Sequence, residues 1–194
     1  MNETMGNLAF KEEPRTELID GKLVMLAAPS AAHEYVAERI YGIFYDYLRG
    51  KPCRVFHSTM AVFLDDNNEY QPDVKIVCDQ SKIQRDGIHG APDLVVEILS
   101  RSTGRNDRGK KMQVYERSGV REYWIVDPAN RTIEQYIPRD GKFFLQDVYG
   151  QFEDYELKRM TEEERAAVIK EFRCTLFDDL NISVADVFAD LGDW

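Results

Sequence analysis

The stretch "APDLVVEILS", residues 91–100, places an acidic side chain inside an otherwise apolar run. Side chains alternate along a strand, so Glu97 shares its face with Asp93, Val95 and Leu99, while Leu94, Val96 and Ile98 line the other. Both faces are largely apolar, which is the pattern of a central strand covered on both sides. An ionised carboxylate in that setting is strongly disfavoured unless a cation, a metal or hydrogen bonds compensate it. Glu97 therefore needs a partner. The pattern leaves open a structural ion pair and a metal-binding or catalytic role.

Working outward, "RVFHSTMAVFL" and "QPDVKIVC" read as two strands before it, separated by polar connections such as "DDNNEY" and "DQSKIQRDGIHG". Further upstream, "TELIDGKLVMLA" is a strand pair about an Asp-Gly turn. A helix follows it: Ser30 is the candidate N-cap, Val36, Ile40, Ile43 and Tyr47 recur at helical spacing, and Gly50 and Pro52 end it. Glu38 points away from that stripe, and His33 lies near it, where a packed core histidine is the expected role. Downstream, the helix "DRGKKMQVYERSG" stops at Gly119 and leads into the strand "EYWIVD". "TIEQYIPRDGKFFLQDVYG" carries a second Asp-Gly hairpin, and "TEEERAAVIKEF" opens a late helix with a capping box from Thr161 to Glu164.

Two adjacent lysines on the helix after the Glu97 strand differ in direction. At about 100° per residue Lys111 falls between Val114 and Tyr115, in the arc that also holds Met112, whereas Lys110 falls on the polar side beside Arg117. Lys111 is aimed inward, toward the strand bearing Glu97, although a lysine whose stem merely covers apolar surface gives the same pattern. Asp73, after Pro72, sits where a strand leaves a loop and can lie beside Glu97. Asp93 is four residues from Glu97 on one strand, about 13 Å at ~3.3 Å per residue, too far to share a metal easily. Asp93 and Asp127 both read as turn or capping residues.

With 194 residues and 43% hydrophobic side chains, the chain, residues 1–194, suits one domain with a sizeable core. Three widely spaced cysteines, Cys53, Cys78 and Cys174, argue against a disulfide framework and a clustered zinc site, and for a reducing cytoplasm. No signal peptide or long apolar run marks a membrane segment, so no membrane partner is expected. A net charge of −10 speaks against a generic nucleic-acid coat. The charge is uneven: residues 101–121 hold seven basic and two acidic side chains, and residues 151–194 hold five basic and twelve acidic. The basic stretch is either a solvated helix face or a local anion site.

"TELIDGKLVML", His33, "QPDV", "GAPDLVVEILS", "RNDRGKKMQVYERSGVREYWIVDP" and "LFDDLNISVADVF" together resemble the Uma-type putative restriction endonuclease family of the PD-(D/E)XK nuclease superfamily. The resemblance implies an α+β fold with an α/β-like core, a restriction-endonuclease-like mixed β-sheet flanked by helices, with an N-terminal β-hairpin. It maps the metal-binding acids to Asp73 and Glu97. The superfamily's lysine, two residues beyond the acid, is replaced by Leu99; the match moves it to Lys111, which the helix wheel reached independently. The implied activity is Mg²⁺-dependent phosphodiester cleavage, with Mn²⁺ as a substitute ion, on nucleic acid and on DNA ahead of RNA. A homodimer could juxtapose two basic stretches. The alternative is a catalytically silent nuclease-fold module that binds nucleic acid or a protein partner.

Overall fold

The computed structural model describes residues 15–100 and 104–192. The hairpin β1 (Thr16–Ile19) and β2 (Lys22–Met25) precedes the 17-residue helix α1 (Ala31–Tyr47). Then come β3 (Arg54–His57), β4 (Val62–Asp65), β5 (Asn68–Tyr70), β6 (Val74–Val77), β7 (Ile88–His89) and β8 (Leu94–Ile98). A helical segment follows, made of α2 (Gly104–Asn106), a π-turn (Asp107–Lys111) and α3 (Met112–Ser118). It leads into β9 (Glu122–Asp127), β10 (Thr132–Arg139) and β11 (Lys142–Gly150). Two short helices, α4 (Asp154–Leu157) and α5 (Glu162–Ala166), the strand pair β12 (Glu171–Arg173) and β13 (Asn181–Ser183), and α6 (Val184–Val187) complete the description.

The main sheet has six strands in the order β11-β10-β9-β8-β6-β3, parallel between β8 and β9 and antiparallel elsewhere. The α+β architecture, a mixed sheet flanked by helices with an N-terminal strand pair, is the expected one. Every residue of β8 is buried. Its two faces do different work. Leu94, Val96 and Ile98 pack with Trp124, Val126 and the stripe Val36, Ile40 and Phe44 of α1, each of which contributes about 1.5–3 kcal/mol by leaving water. On the other face Val95 and Ile125 meet Val114 and Tyr115 of α3 and Ile19 and Tyr70 of the second sheet. That sheet runs β2-β1-β5-β4-β7. Glu97 and Asp73 project into the layer between the two sheets and α3.

Both hairpin turns take the left-handed backbone that Asp-Gly favours: φ is 49° at Asp20 and 72° at Gly21, 51° at Asp140 and 76° at Gly141. Gly119, with φ 90°, ends α3 as expected. Other expectations are corrected. "RVFHSTMAVFL" is two strands, because a turn closed by the Met60 N–H donating to His57 O (3.2 Å) sends β3 into the main sheet and β4 into the second. The connection "DDNNEY" contains β5, since Asp65 Oδ1 accepts from Asn67 N and Asn68 Nδ2 and so closes a tight β4–β5 hairpin. The helix around Lys111 is interrupted at Gly109 (φ −117°, ψ −105°), where the π-turn lets both Asp107 and Lys111 face inward. The capping box of Thr161 and Glu164 is present, but α5 ends at Ala166 and Phe172 belongs to β12. The cysteine expectation fails: Cys53 and Cys78 are disulfide-bonded, because the β3–β6 register that pairs Arg54 with Val77 sets them opposite one another one step further on. No helix among the described residues is long and apolar enough to cross a membrane.

Candidate active site

The antiparallel register of β6 and β8 pairs Val74 with Val96, so one step further Asp73 and Glu97 face each other on the same side of the sheet. Asp73 Oδ2 accepts the Ile98 N–H (2.7 Å) and lies 3.1 Å from His33 Nε2 in the first turn of α1. Glu97 Oε1 accepts the Tyr115 hydroxyl (2.7 Å) and pairs with Lys111 Nζ at 2.7 Å. The same ammonium lies 3.0 Å from Glu17 Oε1 on β1 and 3.7 Å from Asp107 Oδ1 one turn back. Glu17 also accepts the Gln71 N–H (2.8 Å), which ties the hairpin to the loop that presents Asp73. Two residues beyond Asp73, the fully buried Lys75 donates to the carbonyls of Pro72 and His57, both at 2.9 Å. Glu17, His33, Asp73, Glu97, Asp107 and Lys111 line one cleft.

Burial dominates the electrostatics. It pushes Glu97 up to about 8, with Lys111 opposing the rise and Asp107, Asp73 and Glu17 adding to it. Burial works to lower Lys111, but Glu97, Glu17 and Asp107 more than offset it, and the ammonium is held well above the usual lysine range. For Lys75 burial prevails over the opposing charges of Glu97 and Asp73 and brings it down to about 7. For His33, burial lowers the imidazole, yet the hydrogen bond to Asp73 and its charge prevail and raise it. Four carboxylates, Glu17, Asp73, Glu97 and Asp107, thus share the cleft with Lys111 and His33. A hard divalent cation suits that acidic oxygen-rich set. Among the described residues no group of three or more His, Cys, Asp and Glu side chains is arranged to hold a metal. Asp73 and Glu97 are the two carboxylates that would hold such an ion, which keeps much of its own hydration shell.

The structure brings Asp73, Glu97 and Lys111 together. Lys110 is half-exposed and paired with Asp20 at 2.8 Å, on the outer side as the helix wheel indicates. Asp127 accepts Ala129 N (2.9 Å) in the expected turn role, whereas Asp93 accepts Cys78 N (2.7 Å) at the end of β6, a tertiary bond rather than a local turn or cap. His33 is buried but sits against Asp73 rather than in the apolar core. Glu17 and Lys75 were not singled out from the sequence, although each repeats the Glu97 signal: Glu17 shares its face with buried Ile19, and Lys75 interrupts "VKIV". Three arginines of the basic stretch are held in ion pairs. Arg108 pairs with Glu134 at 2.5 Å, Arg117 with Asp65 and Arg121 with Asp93, each at 3.3 Å.

The model of the Uma2 family, described as a putative restriction endonuclease, matches residues 3–169. The chain belongs to the Uma2 family. An uncharacterized protein of Synechocystis sp. is 27% identical to this Uma2 chain over 150 residues, covering 76% of the chain and 79% of the relative. A crystal structure of a putative nuclease belonging to DUF820 from Anabaena variabilis superposes with a TM-score of 0.67 at 19% identity, covering 91% of each chain. At that identity the likeness shows the fold.

Proposed function

We propose that this Uma2 protein is a metal-dependent endonuclease of the PD-(D/E)XK type, acting on DNA ahead of RNA, with the whole chain as one nuclease-like domain. The observation that carries the reading is the cross-strand pair Asp73 and Glu97 with an inward lysine from the following helix 2.7 Å away. Asp73 and Glu97 would hold Mg²⁺, or Mn²⁺ in its place. The ion supplies polarisation of the scissile phosphate and charge neutralisation as the P–O bond breaks. Tyr115 and Lys111 orient Glu97, and the Ile98 N–H and His33 orient Asp73. Lys111, fixed by Glu17, is the cation positioned to direct a water at phosphorus and to offset charge on the phosphoryl oxygens.

Lys111→Met deletes the cation, and Lys110→Met is the matched control. Metal-dependent cleavage should fall by orders of magnitude in the first variant and hardly in the second. Loss of cleavage in neither variant would remove Lys111 from the mechanism. A second reading, a silent nuclease-fold module binding nucleic acid or a protein, is favoured by the engagement of Lys111 with three carboxylates. Absence of cleavage by purified wild type with any divalent metal would select it. A homodimer remains compatible with either reading, and sedimentation measures it directly.

A further inference from the structure

Among the described residues, one cation of the cleft has no carboxylate partner. Arg15, immediately before β1, lines the cleft together with Asp73, Glu97 and Lys111. Its Nε donates to Gln71 Oε1 (3.1 Å) and its Nη2 to the Ser58 carbonyl (3.3 Å). Resting on the nuclease reading above, we infer that Arg15 is a substrate-binding residue, which clamps a backbone phosphodiester of the nucleic acid where it enters the cleft.

The charge pattern of the cleft singles this residue out. Lys111 faces three carboxylates, His33 is held by Asp73, and the neighbouring, fully buried Lys75 gives its hydrogen bonds to two carbonyls. None of these cations can turn to an incoming phosphate without leaving a buried acid or carbonyl unpaired. Arg15 is half-buried and bonded only to neutral oxygens, so its charge is uncommitted. A guanidinium carries five N–H donors. Gln71 and Ser58 engage Nε and Nη2 and so fix its plane, and both donors of Nη1 remain. A planar fork of that kind matches two oxygens of a phosphate, and holding it in place beforehand lowers the ordering cost of binding. Its position suits the same role. Gln71 stands two residues before Asp73, and its N–H is bonded to Glu17, one of the carboxylates that hold Lys111. The charge of Arg15 is felt at Lys75, two residues beyond Asp73. Arg15 thus stands at the end of β6 that presents Asp73, where a preset cation offsets the repulsion between a phosphodiester and four carboxylates.

The test follows cleavage of a labelled duplex oligodeoxynucleotide with Mn²⁺ over a range of salt concentrations. Arg15→Gln keeps a hydrogen-bonding side chain and deletes the charge. It should raise KM about thirtyfold, the worth of a hydrogen bond between charged groups, with little change in kcat. The slope of log KM against log salt concentration should fall by about 0.9, the share of one phosphate contact. Arg15→Lys keeps the charge and loses the fork, so KM should rise several-fold with the slope kept. A purely structural Arg15 would lower stability in both variants and leave the slope unmoved. Unchanged KM in Arg15→Gln, an unchanged slope, or an equal effect from Arg49→Gln, at an exposed arginine past the far end of α1, overturns the inference and leaves the nuclease reading intact. So does weaker binding of inorganic phosphate by Arg15→Gln with KM for the oligonucleotide unaltered, the mark of a free-anion site. If Arg15→Gln does not fold, Arg15→Lys decides: a raised KM with the slope kept sustains the inference, and an equal KM overturns it. If wild type cuts nothing, the nuclease reading falls, and anisotropy of the oligonucleotide in Ca²⁺ decides the clamp. Weaker binding by Arg15→Gln than by wild type sustains it, and equal or absent binding overturns it.

Discussion

Replacing Lys111 with Met tests the buried charge cluster through stability as well as through cleavage. Lys111 is 4% exposed and faces Glu97, Glu17 and Asp107 at 2.7, 3.0 and 3.7 Å. Burial raises Glu97 and the Lys111 ammonium opposes that rise. Without the ammonium, a further carboxylate of the cluster must take up a proton. Protonating an ordinary carboxylate at pH 7 costs about 3–4 kcal/mol, at ~1.4 kcal/mol for each pH unit above its usual range. For a domain of this length that corresponds to a fall in Tm of about 6–16 °C. Lys110→Met, which removes an exposed pair, should cost no more than about 1 kcal/mol.

The pH dependence gives the sharper result. A carboxyl raised in the folded state contributes stability that is complete below its unfolded value, 4.5 for glutamate, and is lost as pH rises through the folded value. The variant adds a second such carboxyl, so its deficit against wild type grows with pH. At pH 5 the same arithmetic leaves about 1 kcal/mol. Thermal unfolding followed by circular dichroism in EDTA at the two pH values reads both numbers. An equal deficit at pH 5 and pH 7 would refute the coupling of Lys111 to ionised carboxylates, and no deficit at either would place the lysine outside the energetics of the fold.

Three further outcomes are expected. Mg²⁺ or Mn²⁺ at a hundred times its Kd should stabilise wild type by about 3 kcal/mol, and Asp73→Ala should abolish the rise in Tm; equal stabilisation of both proteins rejects Asp73 as a ligand. Gly87→Ala should destabilise by about 1–3 kcal/mol, because its Cβ would stand 2.7 Å from the Ala61 carbonyl oxygen and from the Phe63 ring where β7 joins β4; an unchanged denaturation midpoint would contradict that close approach. Cys174 is fully buried and its thiol is pushed up by burial and by the charge of Glu122, while Cys53 and Cys78 are bonded. Ellman's reagent should therefore find no rapidly reacting thiol in the native, unreduced protein and one after denaturation; rapid native labelling would show that Cys174 is accessible.

The sheet was legible because periodicity reports burial. Glu97, Lys111 and the two Asp-Gly turns each follow from local rules, and the antiparallel register then sets Asp73 opposite Glu97. What stayed hidden depends on contacts far apart in sequence. The Cys53–Cys78 bond follows from strand register and not from cysteine spacing. His33 lies near the apolar stripe of its own helix, and only the placement of α1 over the end of β6 shows that its ring meets Asp73.

Glu122 shows why an acid in an apolar strand could not settle function by itself. It opens "EYWIVD" and is fully buried, much as Glu97 is within "LVVEI". Yet Glu122 accepts from Trp124 Nε1 (2.7 Å), Gln135 Nε2 (2.6 Å), and the backbone N–H (2.8 Å) and hydroxyl (2.5 Å) of Thr175. Neutral donors satisfy it on the α1 face of the sheet, and it needs no mobile partner. Glu97 instead faces a lysine already shared with two other carboxylates, and it lines a cleft. Sequence periodicity identifies both as buried acids. The donors gathered by the tertiary fold separate the satisfied structural carboxylate from the one proposed to take a metal ion: those around Glu97 come from the π-turn and α3, whose approach to β8 no local pattern in β8 encodes.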